Sequence, residues 1–519
     1  MDADRILKRI NKAKEKKLLR EGELQDAYRY VLPTRDTLNR KEGVVERGVK
    51  FDSTASNAIE KYATKLQNLL TPSWEEWLKF QPGNDVPKEE QGQLQEKLDE
   101  LSDVVFSHIH HSNFYTAEHE AFLDLGISTG AMIVEANTRK NEPSLINCRS
   151  IPIAELIPEI SSRGTIDTVY REFKVKVSEI NSLWSRANIP EIIQEKGKQD
   201  ESFEVSIYEG IIYNEKEGNY TFIVLEASTK SFLLEEEEET SPFIVFRESV
   251  RPSDVMGYGR ALRIIEDIKT LNKMAYNALI ADGLRIPMFT ALDDGIFNPH
   301  NFRLEGGTVA PVSSNDSSNP SVKLLDVGNP PVTSENRMEQ LRALVNETFL
   351  ANPYGSIEQT PVRSATEIAA READLFQSTA AASGRLQTEF LEKLMRRVIS
   401  ILKESGKVPD VKLDGREVAI KFTSPFAKMQ GSEKVKNTLQ WLGYVSSLGP
   451  DVAAISINAD KVPGLLAKNM GIDKELYKDS TEVDTDKKEV AKMAAEMAQQ
   501  GVDVTGGQQG QQAEQMPIM

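Results

Sequence analysis

The chain has 519 residues, 39% of them hydrophobic and 28% charged, with a formal net charge of -17 and a single cysteine, Cys148. These are the proportions of a folded chain of about two to four domains, or of one elongated multi-part subunit. They exclude an intrachain disulfide framework, and no apolar run approaches the roughly 18 residues of a membrane span. The acidic balance also argues against a tight duplex binder, which relies on basic patches that displace counterions from phosphate.

In chain order, residues 4–30 predict a helix, with Ile6, Ile10, Leu18, Leu24 and Tyr28 recurring near helical spacing. This charged, helix-patterned start does not have the form of a secretory signal. FDSTASNAIEKYATKLQNLLTP (51–72) predicts an amphipathic helix, capped by Asp52 or Ser53 and closed by Pro72. WEEWLKF (74–80) reads as a short strand, and 87–125 as two helices broken near HHSNF. From GAMIVEAN (130–137) to about 247 the pattern is mostly alternating, with one short helix near SEINSLWSRAN. Residues 260–285 return to helix, placing Leu262, Ile265, Ile268, Leu271, Ala275, Leu279 and Asp282 on one face of a rod roughly 40 Å long. Residues 288–332 read as short strands and loops. A second helix follows over 333–350, with apolar Met338, Leu341, Val345 and Phe349 and a polar stripe of Glu335, Glu339, Arg342 and Asn346. After the loop ANPYGSIEQTPV, Ser364 and Glu367 form a capping box at the head of a long helical pattern. Small residues at 378–384 mark a bend in it. Two strand-like stretches, a helical region over about 431–478 and a Gln- and Gly-rich tail complete the chain.

The chemical motifs are weak. GISTG (126–130) has the spacing of a nucleophile elbow, but an elbow needs a strand before the serine and a helix after it, and here the predicted order is reversed. HIHHSNFYTAEHE (108–120) holds four of the five histidines without an ordered ligand spacing, so a polar helix end is the simpler reading than a zinc site. EEEEE (235–239) reads as a solvated hairpin tip. GVVERGVK (43–50) lacks the lysine of a P-loop, so any ATP-driven motor is another chain. We expect no catalytic residues, no metal and no cofactor.

Several stretches together resemble the portal, or head-to-tail connector, family of short-tailed bacteriophages. FDSTASNAIEKYATKLQNLLTP with WEEWLKF looks like the family's N-terminal D-S-T-A helix and following strand. GTIDTVYREFKVKVSEINSLW is similar to its wing strand and helix, and GYGRALRIIEDIKTLNKMAYNAL to its first stem helix, entered through a Y-G-R turn. RSATEIAAREADL is similar to the signature that opens the long helix, and SPFAKMQGSEKV with NADKVPGLLAKNMGID to the crown. Each piece is weak alone; their shared order, over about residues 28–480, is specific.

The resemblance implies a mixed α+β, mainly helical portal fold. Its parts would be a wing (1–255), a first stem helix (256–286), a β-rich clip (287–331), a second stem helix (332–351) and a tunnel loop (352–363). A long kinked helix with wing strands (364–425), a helical crown (426–478) and a flexible tail (479–519) would follow. It implies a homo-oligomeric ring of about twelve subunits at one capsid vertex of the virion, assembled in the host cytoplasm. The implied partners are double-stranded DNA passing through the channel, the terminase large subunit, scaffold and major capsid protein, and tail adaptor and nozzle proteins. On this reading Glu335, Glu339, Arg342 and Asn346 are candidates for the channel surface, and Asn352, Tyr354, Gly355, Ser356, Glu358 and Arg363 for the tunnel loop. Acidic walls would keep phosphate contacts few and sliding loose. Two rivals stand beside it: another neck component such as an adaptor, usually much shorter, and remotely a serine hydrolase at Ser128.

Overall fold

The computed structural model describes residues 2–35, 38, 50–83, 85–87, 91–137, 139, 142–252, 254–284, 289–291, 316, 318, 322–324, 332–351, 384–409, 418–449, 456–458 and 461–470. The chain divides into two compact units, Met1–Lys421 and Phe422–Met519.

The first unit begins with α1 (Ala3–Leu18), whose cap Asp2 accepts the Asp4 N–H at 3.2 Å. The expected single helix over 4–30 is two helices. The chain leaves the helix at Leu19 and Arg20 and restarts as α2 (Glu21–Val31). At the break the Arg20 guanidinium turns onto Glu23 and onto Asp254, distant in sequence, and Leu19 is left 85% exposed. Then come α3 (Thr54–Leu70), β1 (Leu78–Pro82), α4 (Gln91–His110), α5 (Phe114–Ile127) and β2 (Thr129–Ala136). Asp52 caps α3, accepting the Thr54 N–H at 2.9 Å, while Ser53 makes no capping hydrogen bond.

Two antiparallel sheets follow. β2 lies between β3 (Ile146–Ser150) and β9 (Phe243–Arg247). β4 (Leu156–Ile160), β5 (Ile166–Lys176), β6 (Glu204–Asn214), β7 (Asn219–Glu226) and β8 (Ser231–Glu238) form a five-stranded meander in chain order. α6 (Val177–Leu183) and α7 (Glu191–Gln199) interrupt it; only the first was expected. PFIVFRES belongs to the other sheet, as β9 beside β2. The main core fills one face of the meander, where Val169, Val205, Ile207 and Val224 meet Ala131, Ile133, Phe243 and Val245 of the smaller sheet and Ile180 and Trp184 of the α6 segment. The other face is covered by α1, whose Ile6, Ile10 and Ala13 pack on Tyr170, Tyr208 and Ile223.

The glutamate run is a correction. Glu235 to Glu238 are not a hairpin tip but part of β8, opposite Ile223, Phe222, Thr221 and Tyr220 of β7. β8 is an edge strand, and a charged edge discourages pairing with another chain. The acids are tied back, Glu236 to Arg186 at 3.1 Å, Glu238 to Arg397 at 2.8 Å and Glu239 to Lys403 at 3.4 Å, while Glu237 accepts from the Asn219 amide at 3.3 Å.

After the second helical segment, discussed below, a π-helical turn (Gln387–Leu391) leads into the helix Glu392–Glu404. The turn aims Glu389 at β9. Its carboxylate accepts the Arg247 backbone N–H at 3.0 Å and the buried Arg247 guanidinium at 2.8 Å. About two turns on, Arg397 donates to the Val134 carbonyl at 3.1 Å. The bend expected at 378–384 and the capping box at Ser364 lie outside the described residues, apart from Gly384. In the second unit, the helices Pro425–Ser447 and Val462–Met470 pack together.

Two carboxylic acids in the first unit have no place in an apolar interior unless protonated. Glu118 of α5 is fully buried; it accepts from the Thr71 hydroxyl and from Gln67 at 3.1 Å, and burial pushes its pKa up to about 8. Glu209 of β6 is fully buried between Ile207 and Ile211, its nearest cation being Arg171 at 3.6 Å; burial and the charge of Glu135 push it up to about 7. A carboxyl group whose pKa rises on folding binds its proton more tightly in the folded chain. The stability it contributes is complete below its ordinary pKa near 4.5 and is lost as pH climbs through 7 to 8. Melting temperature should therefore fall between about pH 5 and 8, and Glu118→Gln should flatten the upper part of that fall. A melting profile of the variant parallel to that of the parent across this range would refute the assignment.

Candidate functional site: the helix pair and its anchorage

The sequence pointed to two helices around a β-rich insertion. The structure forms α8 (Arg260–Arg263), α9 (Ile265–Leu284) and α10 (Val332–Thr348), with α9 packed against α10. Between them, β10 (Phe289–Ala291) and β11 (Val322–Leu324) form an antiparallel ribbon. The expected apolar faces are present at one end of the pair. Leu262, Ile268, Leu271, Leu341, Val345 and Phe349 are buried, whereas Leu279, placed on the same expected face, is 58% exposed.

That end is fixed to the rest of the first unit by charge. Arg260 is buried and grips the carboxylate of Glu248, just beyond β9, at 2.8 Å. It also donates to the Thr348 carbonyl at the last turn of α10, at 2.8 Å, and lies over the Tyr62 ring of α3. The Tyr62 hydroxyl donates to Glu248 at 3.2 Å; burial, reinforced by the Glu248 charge, holds its pKa well above the ordinary phenol range. One arginine thus joins the start of the first helix, the end of the second, α3 and the exit of β9. A charge-assisted network of this kind holds in a low-dielectric interior only while every member is present.

A second clasp lies along the pair. Asn272 of α9 accepts the Phe51 and Asp52 backbone N–H groups at 2.7 and 3.2 Å, and Phe51 meets Tyr276 with ring centroids 4.6 Å apart. Arg342 of α10 pairs with Asp52 at 3.0 Å and with Glu339 at 2.8 Å. Burial works against the Asp52 anion, but hydrogen bonds from Thr54 and Arg342 outweigh it and keep its pKa below the ordinary value. Lys269 bridges to Asp26 of α2 at 2.6 Å, and Asp26 raises its pKa.

The GISTG stretch explains the entry to the pair. The chain passes from helix α5 to strand β2, the reverse of a nucleophile elbow. Ser128 is buried, and its hydroxyl donates to the Gly257 carbonyl at 2.8 Å. The Gly257 N–H donates to Thr129 Oγ1 at 2.8 Å, and the Gly259 N–H to the Ile127 carbonyl at 3.1 Å. The motif is a lock for the turn before Arg260. The histidines are likewise dispersed: His108 faces the Leu145 N–H, His110 the Tyr115 hydroxyl, His111 the Ser107 carbonyl and His119 the Thr64 hydroxyl.

Of the four expected channel residues, Glu335 and Glu339 are exposed on α10, while Arg342 and Asn346 are half-buried and Arg342 is held by Asp52. Asn352, Tyr354, Gly355, Ser356, Glu358 and Arg363 lie outside the described residues. Sequence reading missed Glu248, Tyr62, Asn272 and Lys269 as anchors. The Y-G-R turn and the cap Asp52 were the only local signals of this junction.

The order of these parts is matched over residues 3–477 by a family model described as bacteriophage head to tail connecting protein. The chain belongs to this family. It is a connector of the bacteriophage virion, a structural rather than an enzymatic family. No curated protein matches the connector chain. Among its described residues no helix is long and apolar enough to cross a membrane.

Proposed function

We propose that this connector assembles as a portal ring of about twelve copies at one capsid vertex, the channel through which double-stranded DNA is packaged and later ejected. In this role it docks the terminase large subunit during packaging and tail adaptor and nozzle proteins afterwards, with scaffold and major capsid protein around it. The observation that carries the reading is the helix pair. It is anchored at one end by Arg260, yet leaves Leu279, Ile280 and Leu344 exposed. Apolar side chains on anchored, outward-facing helices suit packing against the same helices of neighbouring copies, in a heterologous contact that closes into a ring. Glu335 and Glu339, with Arg342 and Asn346 beside them, are assigned to the channel wall, where acidic groups limit phosphate contacts. The segment 352–363, including Asn352, Tyr354, Gly355, Ser356, Glu358 and Arg363, is assigned to the loop that narrows the channel.

The combined variant Leu279→Asp and Leu344→Asp tests this. Both side chains are exposed in the single chain, so its fold should persist. Light scattering after size exclusion should show the parent as a large assembly and the variant as subunits. A variant that assembles as completely as the parent would place the interface elsewhere.

A further inference from the structure

The most concentrated positive charge on this acidic chain is α1. Its inner side, Ile6, Ile10 and Ala13, is consumed by the five-stranded sheet. Its outer side carries Arg5, Lys8, Arg9, Lys12 and Lys16, all exposed. At 100° per residue these five fall within a band of about 100°. Lys8, Lys12 and Lys16 succeed one another every four residues, about 6 Å apart along the axis. The rest of the cationic set on α1 is committed inward: Lys14 to Glu172 at 2.6 Å and Lys17 to the Ala154 carbonyl at 2.6 Å. Arg9 reaches Glu159 at 2.6 Å. Arg5, Lys8, Lys12 and Lys16 form no ion pair among the described residues. In a chain of net charge -17, such a row is a local inversion of sign.

The row ends in an apolar residue. Leu19 continues the line of Lys8 and Lys12 at the C-terminal end of α1 and is 85% exposed; Leu18 beside it is 49% exposed. A phosphate backbone offers a leucine nothing, whereas a peptide segment offers both carboxylates and an apolar side chain. The apolar face of α1 is already buried, so the helix has none left for a membrane surface.

We infer that the outer face of α1 is a docking surface for an acidic peptide segment of another protein, with carboxylates along Arg5, Lys8, Lys12 and Lys16 and an apolar side chain against Leu19. The surface lies outside the helix pair and stands independently of the ring. Surface charge rows of this kind act chiefly on association rate and are weakened by salt.

The test uses the full-length protein and three probes: a fluorescein-labelled helical peptide with glutamate at every fourth position and a terminal leucine, the same peptide with glutamine for glutamate, and a 20-bp DNA duplex. The glutamate peptide should bind saturably at low salt, weaken as salt rises, and bind more tightly than either other probe. The combined variant Arg5→Gln, Lys8→Gln, Lys12→Gln and Lys16→Gln should lose about tenfold or more in affinity with an unchanged melting temperature. Leu19→Ala should lose about threefold. No saturable peptide binding by the parent, undiminished binding by the four-fold variant, or tighter binding of the duplex than of the peptide would each overturn the inference.

Discussion

Arg260→Met should destabilise the connector by about 3 to 5 kcal/mol, the cost of leaving one member of a buried pair uncompensated. The abandoned group is Glu248, whose side chain is 2% exposed and lies 2.8 Å from the guanidinium. Two further effects add to the loss: the Thr348 carbonyl at the end of α10 loses its donor, and the Tyr62 ring loses the cation above it. Relief of the like charge that Arg260 sets beside Lys65 offsets a small part of it. Replacing both charges, as Arg260→Met with Glu248→Gln, should restore part of the loss, because the uncompensated charge is then gone. Thermal and denaturant unfolding of the single and double variants measures this directly. A single variant within about 0.5 kcal/mol of the parent would mean that Arg260 does not carry the junction.

Gly257→Ala should be comparably severe for a steric reason. A Cβ on Gly257 would stand 2.1 Å from the Ser128 carbonyl oxygen and 3.0 Å from the carbonyl carbon, with Arg247 Cβ at 3.3 Å. Backbone cannot yield as the tip of a flexible side chain can, so the turn must move. That movement breaks the Ser128 hydroxyl to Gly257 carbonyl bond and the Gly257 N–H to Thr129 bond, both 2.8 Å. We expect a loss of about 3 kcal/mol or more, the upper end for overpacking with lost buried hydrogen bonds. Gly22→Ala is the control: nothing lies within 4 Å of its added Cβ, and a helical site should gain about 0.5 to 1 kcal/mol. Equal effects at the two positions, read from melting curves, would contradict the close approach of the GISTG turn to residues 257–259.

These two expectations rest on contacts that hydropathy does not report. The alternating runs of β5, β6 and β7 and the helical periods of α3, α9 and α10 were legible because burial imposes period 2 on a half-buried strand and 3.6 on an amphipathic helix. The strand character of 235–238 was hidden because an edge strand needs only one covered face, so glutamates persist on it. β3 and β4 are five residues each, too short to declare a period. The break at Leu19 and Arg20 comes from ion pairs to Glu23 and to Asp254, the latter distant in sequence. Buried charge is the least legible of all. Nothing local marks Glu248 or Arg247 as interior residues, because each is admitted only by a partner that folding delivers, Arg260 for the first and the half-buried Glu389 for the second. The serine of GISTG is the converse case, a motif legible in sequence whose hydroxyl the fold commits to Gly257.

The ring is the central claim, and electron microscopy of the purified connector in end-on views tests it most directly. The account predicts closed rings with about twelve-fold symmetry and an open centre. Single compact particles at every protein concentration and salt condition would contradict it, and would leave Leu279, Ile280 and Leu344 facing water without a neighbour.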